Sequence, residues 1–251
     1  MPTDARSATA FKTAQVLVAE VRGGHAAPSD IARSVLDHIQ ARDGALNCFA
    51  SLNPDDVIAQ ASALDQRLAR GEDLGPLAGL PVSVKDLIVA KGHPTAFGSL
   101  TMRDNVVDLD APVVERLRAA GAVILGKTVT TEFAVFKPGK TRNPHDLART
   151  PGGSSSGSAA AVVDRMIPLA LGTQTAGSVI RPAAFCGAVG DKPSFGAIDM
   201  DGIKDDAPAL DTLGVFARSV ADAALLAQAM ALPGTGLAAV DAGASSLMPS
   251  M

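Results

Sequence analysis

The sequence predicts an α/β fold in which a mixed, largely parallel sheet is flanked by helices. Short apolar runs alternate with helical segments, and strands that are joined by helices usually pair in parallel. The sequence contains no internal repeat. The predicted strands lie near residues 80–85, 122–126 and 167–171, and the helices between them near residues 111–120 and 154–164.

Amphipathic helices precede this alternating region. Pro28-Ser29-Asp30 is a typical helix start, while Asn53 caps a third helix that Gly71 ends. Arg218-Ser219 opens a last helix, which ends at about Met230. The helices predicted outside the alternating region therefore cover residues 8–22, 28–42, 54–70 and 218–230.

These elements are expected to form one domain over residues 1–231. Residues 232–251 are small and turn-rich and have no periodic apolar pattern. We expect them to be a disordered tail.

The composition excludes several classes of function. The chain has 251 residues and is 47% hydrophobic, which suits a globular domain with a substantial core. A net charge of -4 and the lack of Trp and Tyr argue against direct binding of nucleic acid. No apolar run approaches about 20 residues, so no membrane-spanning helix is expected. The N-terminus does not resemble a signal peptide, and we expect a cytoplasmic protein.

Two segments rich in Gly and Ser carry the strongest functional signal. Residues 151–158 contain four serines, and residues 172–182 contain Ser178 between Gly177 and Val179. Such segments offer hydroxyl groups and unhindered backbone N–H groups, as a serine nucleophile and an oxyanion hole require. A flexible linker is the alternative for the first segment. It is disfavoured because the apolar, helix-compatible residues 159–163 follow directly.

A serine nucleophile needs a base, and histidine does not fit. Residues 153–157 match the G-x-S-x-G nucleophile elbow, but that fold needs a histidine after the serine, and the last histidine is His145. Lys85, at the end of an apolar run, is the better candidate, because burial can make a lysine neutral near pH 7. The alternative is an ordinary surface lysine paired with Asp86 or a helix end.

The two serine segments and Val84-Lys85-Asp86 together resemble the amidase signature family. The resemblance extends over about residues 44–231 and includes Lys192-Pro-Ser-Phe-Gly. It implies hydrolysis of a small carboxamide through a seryl acyl-enzyme. It also implies catalytic roles for Ser178 as nucleophile, Ser154 as bridging serine and Lys85 as base, and a cis peptide bond between Gly153 and Ser154.

The oxyanion of such a reaction is expected to bind backbone N–H groups of Thr175, Ala176, Gly177 and Ser178. Family members with the same Gly-Ser-Val-Ile-Arg-Pro form use the arginine to bind a substrate carboxylate, which implies this role for Arg181. A structural ion pair of Arg181 with an acidic residue of the chain is equally consistent with the sequence.

Proteins of this family continue well beyond this chain's last residue, so the C-terminal part of the fold is expected to be missing. Asp191 also places a charge where the family usually has an apolar residue. These differences suggest an alternative, a non-catalytic remnant or a subunit that depends on a partner or on self-association. Some relatives supply ammonia from glutamine for tRNA-dependent amidation.

Two further interpretations are weaker. Residues 121–128 match the phosphate-loop pattern G-x-x-x-x-G-K-[ST], but their apolar middle predicts a buried strand after a helix, and the motif requires the order strand, loop, helix. The two cysteines, Cys48 and Cys186, and the four histidines lack metal-binding spacing. We therefore expect neither a metal nor a cofactor.

Overall fold

The computed structural model describes residues 9–10 and 12–237. Within them, a sheet of six strands packs against helices. The strands are β1 (Phe49–Leu52), β2 (Pro81–Lys85), β3 (Val123–Thr128), β4 (Leu169–Gln174), β5 (Val189–Asp191) and β6 (Thr212–Ala217). The α-helices are α1 (Ala14–Arg22), α2 (Pro28–Leu46), α3 (Pro54–Ala69), α4 (Pro112–Ala119), α5 (Ser156–Val163), α6 (Ile180–Cys186) and α7 (Val220–Met230).

The strand order is β1-β3-β2-β4-β6-β5. The central strands β3, β2 and β4 are parallel, whereas β1 pairs with β3, β6 with β4 and β5 with β6 in antiparallel fashion. The predicted α/β class and mixed sheet are confirmed, with parallel pairing confined to the centre. Because parallel strands end at the same edge, the carboxyl ends of β2 and β4 lie next to each other, and this edge carries the site described below.

Capping hydrogen bonds are found at the predicted starts of α3 and α7. Asn53 accepts a hydrogen bond from the N–H of Asp56 at the start of α3, and Ser219 does the same for Asp222 at the start of α7. Helix α1 begins later than predicted, because Thr13 caps it by accepting from the N–H of Val16. Residues 8 and 11 of that prediction lie outside the described part.

Four elements were not predicted, namely β1, α6, β5 and β6. The edge strands β1 and β5 have four and three residues and are only partly buried, so their hydrophobic pattern is weak. Helix α6 contains Pro182, which favours its first turn but lowers the helical signal in a sequence window. Strand β6 is fully buried, but Gly214 interrupts its apolar run.

Asp191 is the last residue of β5, at one edge of the sheet. Its side chain is partly buried, and burial raises the pKa of its carboxyl group, with nearby Lys192 acting in the opposite direction. Asp191 therefore places a carboxyl group at a partly buried position on the edge of the sheet, where the family usually has an apolar residue.

The phosphate-loop alternative is wrong. Residues 123–128 form β3, with every residue buried, so this segment has no open loop to surround a phosphate. Gly121 has φ +87 and follows α4, and a Cβ built there would lie 2.0 Å from the carbonyl oxygen of Leu74. The first glycine of the motif thus allows close backbone packing against the segment that precedes β2.

Helix α5 is the most deeply buried helix of the site region. Residues 156–162 are all buried, and their small side chains let α5 pack against both β4 and α6. Gly157 marks the tightest approach, because a Cβ there would lie 2.2 Å from the carbonyl oxygen of Cys48 and 2.5 Å from the backbone nitrogen of Val129.

Residues 232–237 of the predicted tail lie within the described part. Residues 232–237 form turns, and the N–H of Leu232 donates to the carbonyl oxygen of Ala197 at 2.9 Å. Residues 238–251 of that prediction lie outside the described part. Among the helices described between residues 9 and 237, none is long and apolar enough to cross a membrane.

Candidate active site

Lys85 ends β2 inside the protein. Its side chain is fully buried, and Nζ lies 2.6 Å from Ser154 Oγ and 2.9 Å from Thr173 Oγ1. Burial lowers the pKa of Lys85 to about 7, because desolvation disfavours the ammonium form. The nearby carboxylates of Asp206 and Asp211 act in the opposite direction. A substantial fraction of Lys85 is therefore neutral near pH 7 and available as a base.

The surface alternative for Lys85 is wrong, since its neighbour Asp86 has a different partner. Asp86 pairs with Lys127, at 3.6 Å between Oδ1 and Nζ, and accepts hydrogen bonds from the N–H groups of Ala96 and Gly98. Lys85 and Asp86 are neighbours in the sequence, and successive side chains of a strand point to opposite faces of the sheet. Lys127, the partner of Asp86, is therefore on the opposite face from Lys85. Burial also lowers the pKa of Lys127 to about 8, and Asp86 acts against this shift.

Ser154 is buried at the turn that leads into α5. The peptide bond between Gly153 and Ser154 is cis, as the resemblance implied. The carbonyl oxygen of Ser154 accepts from the N–H of Thr131 at 3.1 Å, which ties the turn to the segment after β3. The Ser154 hydroxyl is thus held beside Lys85.

Ser178 lies in the turn between β4 and α6 and is partly exposed. Its carbonyl oxygen accepts from the N–H of Ser155 at 3.2 Å, so the two serine segments meet. Gln174 closes the turn, because its Oε1 accepts from the N–H groups of Val179 and Ile180 at 2.8 and 2.9 Å. Lys85, Ser154 and the main chain of residue 178 are therefore in one region.

Residues 175–178, called the oxyanion segment below, present free backbone donors. Within the described residues, no hydrogen bond is formed by the N–H groups of Ala176, Gly177 and Ser178. Ala176 is exposed, and the three atoms nearest to a Cβ built at Gly177 all belong to the guanidinium of Arg181. Such a set of donors can receive a negatively charged oxygen.

Arg181 lies in the first turn of α6 and is exposed. Its Nη1 lies 3.4 Å from the carbonyl oxygen of Gly153, and no ion pair of Arg181 is found among the described residues. It lines a cavity of about 220 Å³ together with Gly152, Gly153 and Ser156. Val135, Phe136 and Phe185 form the apolar part of the wall.

The remaining serines of the first segment form hydrogen bonds with backbone carbonyl groups. Ser155 Oγ donates to the carbonyl oxygen of Thr173 at 3.3 Å, and Ser158 Oγ donates to that of Leu171 at 2.7 Å.

Thr173 was not among the predicted site residues, although its hydroxyl and carbonyl both lie near Lys85 Nζ. Nothing in its local sequence distinguishes it from other strand threonines, and only the pairing of β2 with β4 reveals it.

The region offers no metal centre of the usual kind. Between residues 9 and 237, the described side chains include no group of three His, Cys, Asp or Glu arranged to hold a metal ion. Cys48 and Cys186 are both buried free thiols, and burial raises the pKa of each.

Several known proteins are similar to this chain. The chain is 45% identical over 226 residues to a glutamyl-tRNA(Gln) amidotransferase subunit from Acidothermus cellulolyticus, and the match covers 88% of this chain and 45% of that protein. The peptide amidase of Stenotrophomonas maltophilia superposes with a TM-score of 0.84 at 37% identity, covering 93% of this chain and 51% of that one.

A solved structure described as a vestigial protein complex, which reveals the origins of an s-triazine catabolic enzyme, is also similar. Its TM-score is 0.84 at 40% identity, and the match covers 88% of this chain and 50% of that one. The chain thus spans about half the length of the relatives that it matches. The Amidase family model matches residues 30–236, and with these similarities it shows that the chain belongs to the amidase signature family.

Proposed function

We propose that this chain hydrolyses a small carboxamide through an acyl-enzyme on Ser178, with Ser154 and Lys85 as a proton relay. The observation that carries the proposal is the contact of 2.6 Å between Lys85 Nζ and Ser154 Oγ, inside a region where burial lowers the pKa of the lysine to about 7. A buried lysine that releases its proton near neutral pH is suited to act as a general base.

In the proposed first step, neutral Lys85 takes the proton of Ser154, and Ser154 takes the proton of Ser178. The Ser178 oxygen then bonds to the amide carbonyl carbon, and the carbonyl oxygen becomes an oxyanion. When the C–N bond breaks, the relay runs in reverse and delivers a proton to the departing amine. Water, activated by the same relay, then hydrolyses the ester and restores Ser178.

The oxyanion segment supplies the electrostatic part of this mechanism. The free N–H groups of Ala176, Gly177 and Ser178 would donate to the oxyanion, and removing one such donor typically costs about 2.7–4 kcal/mol of transition-state stabilisation. Thr175 belongs to the same proposed set. Because the donors are backbone groups in a turn that Gln174 closes, little reorganisation accompanies the reaction.

Arg181 is the proposed determinant of substrate choice. A guanidinium binds a carboxylate through two parallel hydrogen bonds, and that of Arg181 is exposed at the cavity without an ion-pair partner in the described chain. The aromatic wall at Phe136 and Phe185 adds an apolar surface. A small amide that carries both a carboxylate and an apolar group fits this combination.

The test is labelling of the purified chain with a serine-reactive fluorophosphonate, followed by peptide mass spectrometry. An adduct on Ser178 that disappears in Lys85→Ala and in Ser154→Ala, while both variants keep the melting temperature of the wild type, is the expected result. No adduct on folded wild-type chain, or an adduct that persists in Lys85→Ala, would refute the relay.

A second candidate is a subunit that needs a partner for activity. It is favoured by the exposed apolar side chains beside the cavity, where Phe136 is 94% and Phe185 51% exposed, and by the relatives that are named as subunits of an amidotransferase. Size-exclusion chromatography with light scattering distinguishes the candidates. A monomer with a cooperative melt and a Ser178 adduct contradicts the second candidate, whereas association without an adduct supports it.

A further inference from the structure

A buried carboxylate outside the proposed relay lies against the oxyanion segment. Asp211, just before β6, is 6% exposed, and its Oδ1 accepts a hydrogen bond from the Thr175 hydroxyl. Its Oδ2 accepts from the N–H groups of Asp206 and Ala207 at 2.6 and 2.8 Å. One carboxylate therefore joins the turn at residues 206–211 to the first residue of the oxyanion segment.

The oxyanion segment is thus fastened at both ends by side chains. Gln174 Oε1 binds the N–H groups that follow the segment, and Asp211 binds the hydroxyl of Thr175, with which it begins. Between these two attachments the backbone N–H groups are free. Donors of this kind stabilise a transition state best when they are held in place beforehand. The attachment at Thr175 is therefore expected to increase the rate of the reaction at Ser178.

Asp211 also acts on Lys85 through its charge, because its partner Thr175 lies two residues along the chain from Thr173, whose hydroxyl contacts Lys85 Nζ. Burial alone would raise the pKa of Asp211, but the hydrogen bonds from Thr175, Asp206 and Ala207 outweigh it and lower the pKa. The carboxylate is therefore ionised at neutral pH. Its charge stabilises the ammonium form of Lys85 and so opposes the effect of burial.

Other charged groups facing Lys85 come from the same turn. Asp206 acts on Lys85 in the same direction as Asp211, and Lys204, which is paired with Asp206, acts in the opposite direction. The direct contacts of Lys85 from β4 and from the turn before α5 are Thr173 and Ser154, which are neutral. The ion pair of Asp86 and Lys127 is not among the charges that shift the pKa of Lys85.

We propose that Asp211 is a positioning residue that holds the oxyanion segment through Thr175 and places its negative charge near the Lys85 base. This inference rests on the proposed function, because both effects act on the Ser-Ser-Lys relay. The two effects can be separated, since Thr175→Val removes the hydrogen bond and keeps the charge, whereas Asp211→Asn removes the charge and preserves the shape.

The charge effect is tested without catalysis. Chain labelled with ¹³C at lysine Cε is titrated by NMR, and the Lys85 signal is assigned with Lys85→Met. The midpoint of Lys85 is expected to move to lower pH in Asp211→Asn and to stay unchanged in Thr175→Val and in Asp201→Asn, which removes an exposed carboxylate. The Lys127 signal serves as an internal control. An unchanged or higher midpoint in Asp211→Asn overturns the electrostatic role.

The positioning effect is tested by the rate at which a fluorophosphonate modifies Ser178. Thr175→Val is expected to reduce this rate about 10-fold or more at every pH, because misplaced donors lose much of their effect. Thr175→Ser, which keeps the hydroxyl, should restore it, and Thr235→Val in a remote turn should leave it unchanged. A Thr175→Val rate equal to that of the wild type overturns the positioning role.

The outcomes also separate this inference from the proposed function. If wild-type Ser178 does not react, the proposed relay fails and the positioning role fails with it, while the NMR titration still decides the electrostatic role. If wild-type Ser178 reacts and the variants behave as wild type, the relay stands and Asp211 has neither role.

Discussion

At the scale of single residues, the site depends on a lysine whose environment favours the neutral form. A lysine at the surface would hold its proton far above neutral pH and could not accept one from a serine. Lys85 is fully buried, has two hydroxyl partners and has no direct carboxylate partner among the described residues, so desolvation dominates its titration. The proposed role of Lys85 as a base thus follows from its position at the buried end of β2.

This environment predicts a pH dependence. Burial lowers the pKa of Lys85 to about 7, so the reactive neutral form is complete above that pH and falls about tenfold for each pH unit below it. The rate of Ser178 modification by a fluorophosphonate should therefore rise with slope one and level off just above pH 7. The rate at which the fluorophosphonate hydrolyses in buffer alone, measured at each pH, serves as a control for reagent stability. A flat profile between about pH 5 and 8 would contradict the assignment of Lys85 as base.

Arg181 predicts a selective effect on substrate binding. Arg181→Lys replaces a planar fork by a point charge, so it should raise KM mainly for amides that carry a carboxylate and leave kcat and neutral amides nearly unchanged. Loss of one hydrogen bond to a charged group corresponds to about 1.5–3 kcal/mol. Steady-state kinetics on a matched pair of acidic and neutral amides measures this. Equal changes for both amides would show that Arg181 has a structural role.

Single residues also differ in how far the sequence reveals them. Local patterns point to Lys85 after an apolar run and to two glycine-rich serine segments, and the resemblance to the family then picks out Ser154 and Ser178 within those segments. Thr173 and Asp211 could not be chosen in this way, since their roles arise from the pairing of β4 with β2 and from a contact between Thr175 and a residue 36 positions later. The contacts of single polar residues across a sheet are not encoded in local spacing.

At the scale of elements, the close packing of α5 fixes Ser154, the proposed bridging serine. Ser154 lies two residues before this helix, and the helix is placed by backbone contacts at Gly157, whose N–H donates to the carbonyl oxygen of Val129 at 2.9 Å. A side chain at residue 157 would separate α5 from β3 and from the start of β1. The position of the proposed relay therefore depends on residue 157 having no side chain.

Gly157→Ala should accordingly destabilise the fold by about 1–3 kcal/mol or more, because the new Cβ would meet backbone atoms that cannot move independently. Gly44→Ala in α2 is the matched control, since no atom lies within 4 Å of its added Cβ. This control should gain about 0.5–1 kcal/mol from helix propensity. Urea denaturation followed by circular dichroism measures both. Equal stabilities for the two variants would contradict the packing argument.

At the scale of the whole molecule, the sequence determines the order of elements better than their pairing. The central strands and most helices follow from apolar runs and capping residues, but the antiparallel strands β5 and β6 depend on contacts with β4 and with each other. Strand β6 pairs with β4, about 40 residues earlier in the chain, and α6, β5 and residues 192–211 lie between the two strands. Such non-local pairing is decided by burial in the finished fold, where every residue of β6 is buried.

The first and last helices are also joined in a way that the sequence does not reveal. Arg218 donates to the carbonyl oxygens of Lys12, Val162 and Ile167, and the Asp222 carboxylate accepts from the N–H of Gln15 in α1 at 3.0 Å. The segment before α7 therefore connects the two ends of the described chain with the region that follows α5. Because these hydrogen bonds are part-buried, the carbonyl groups would be left unsatisfied if the guanidinium were removed.

Arg218→Met should cost about 1–3 kcal/mol of stability, and α1 should lose protection against hydrogen exchange before the sheet does, since Arg218 binds the carbonyl oxygen of Lys12, the residue before the Thr13 cap of α1. Arg22→Met is the matched control, because Arg22 is exposed at the other end of α1 and donates only to the carbonyl oxygen of Gly75 among the described residues. That variant should change stability by less than about 0.5 kcal/mol. Hydrogen exchange monitored by mass spectrometry measures α1 and β4 separately. Equal loss of protection in α1 and β4 would mean that Arg218 stabilises the fold as a whole, without a local role at the junction of the two helices.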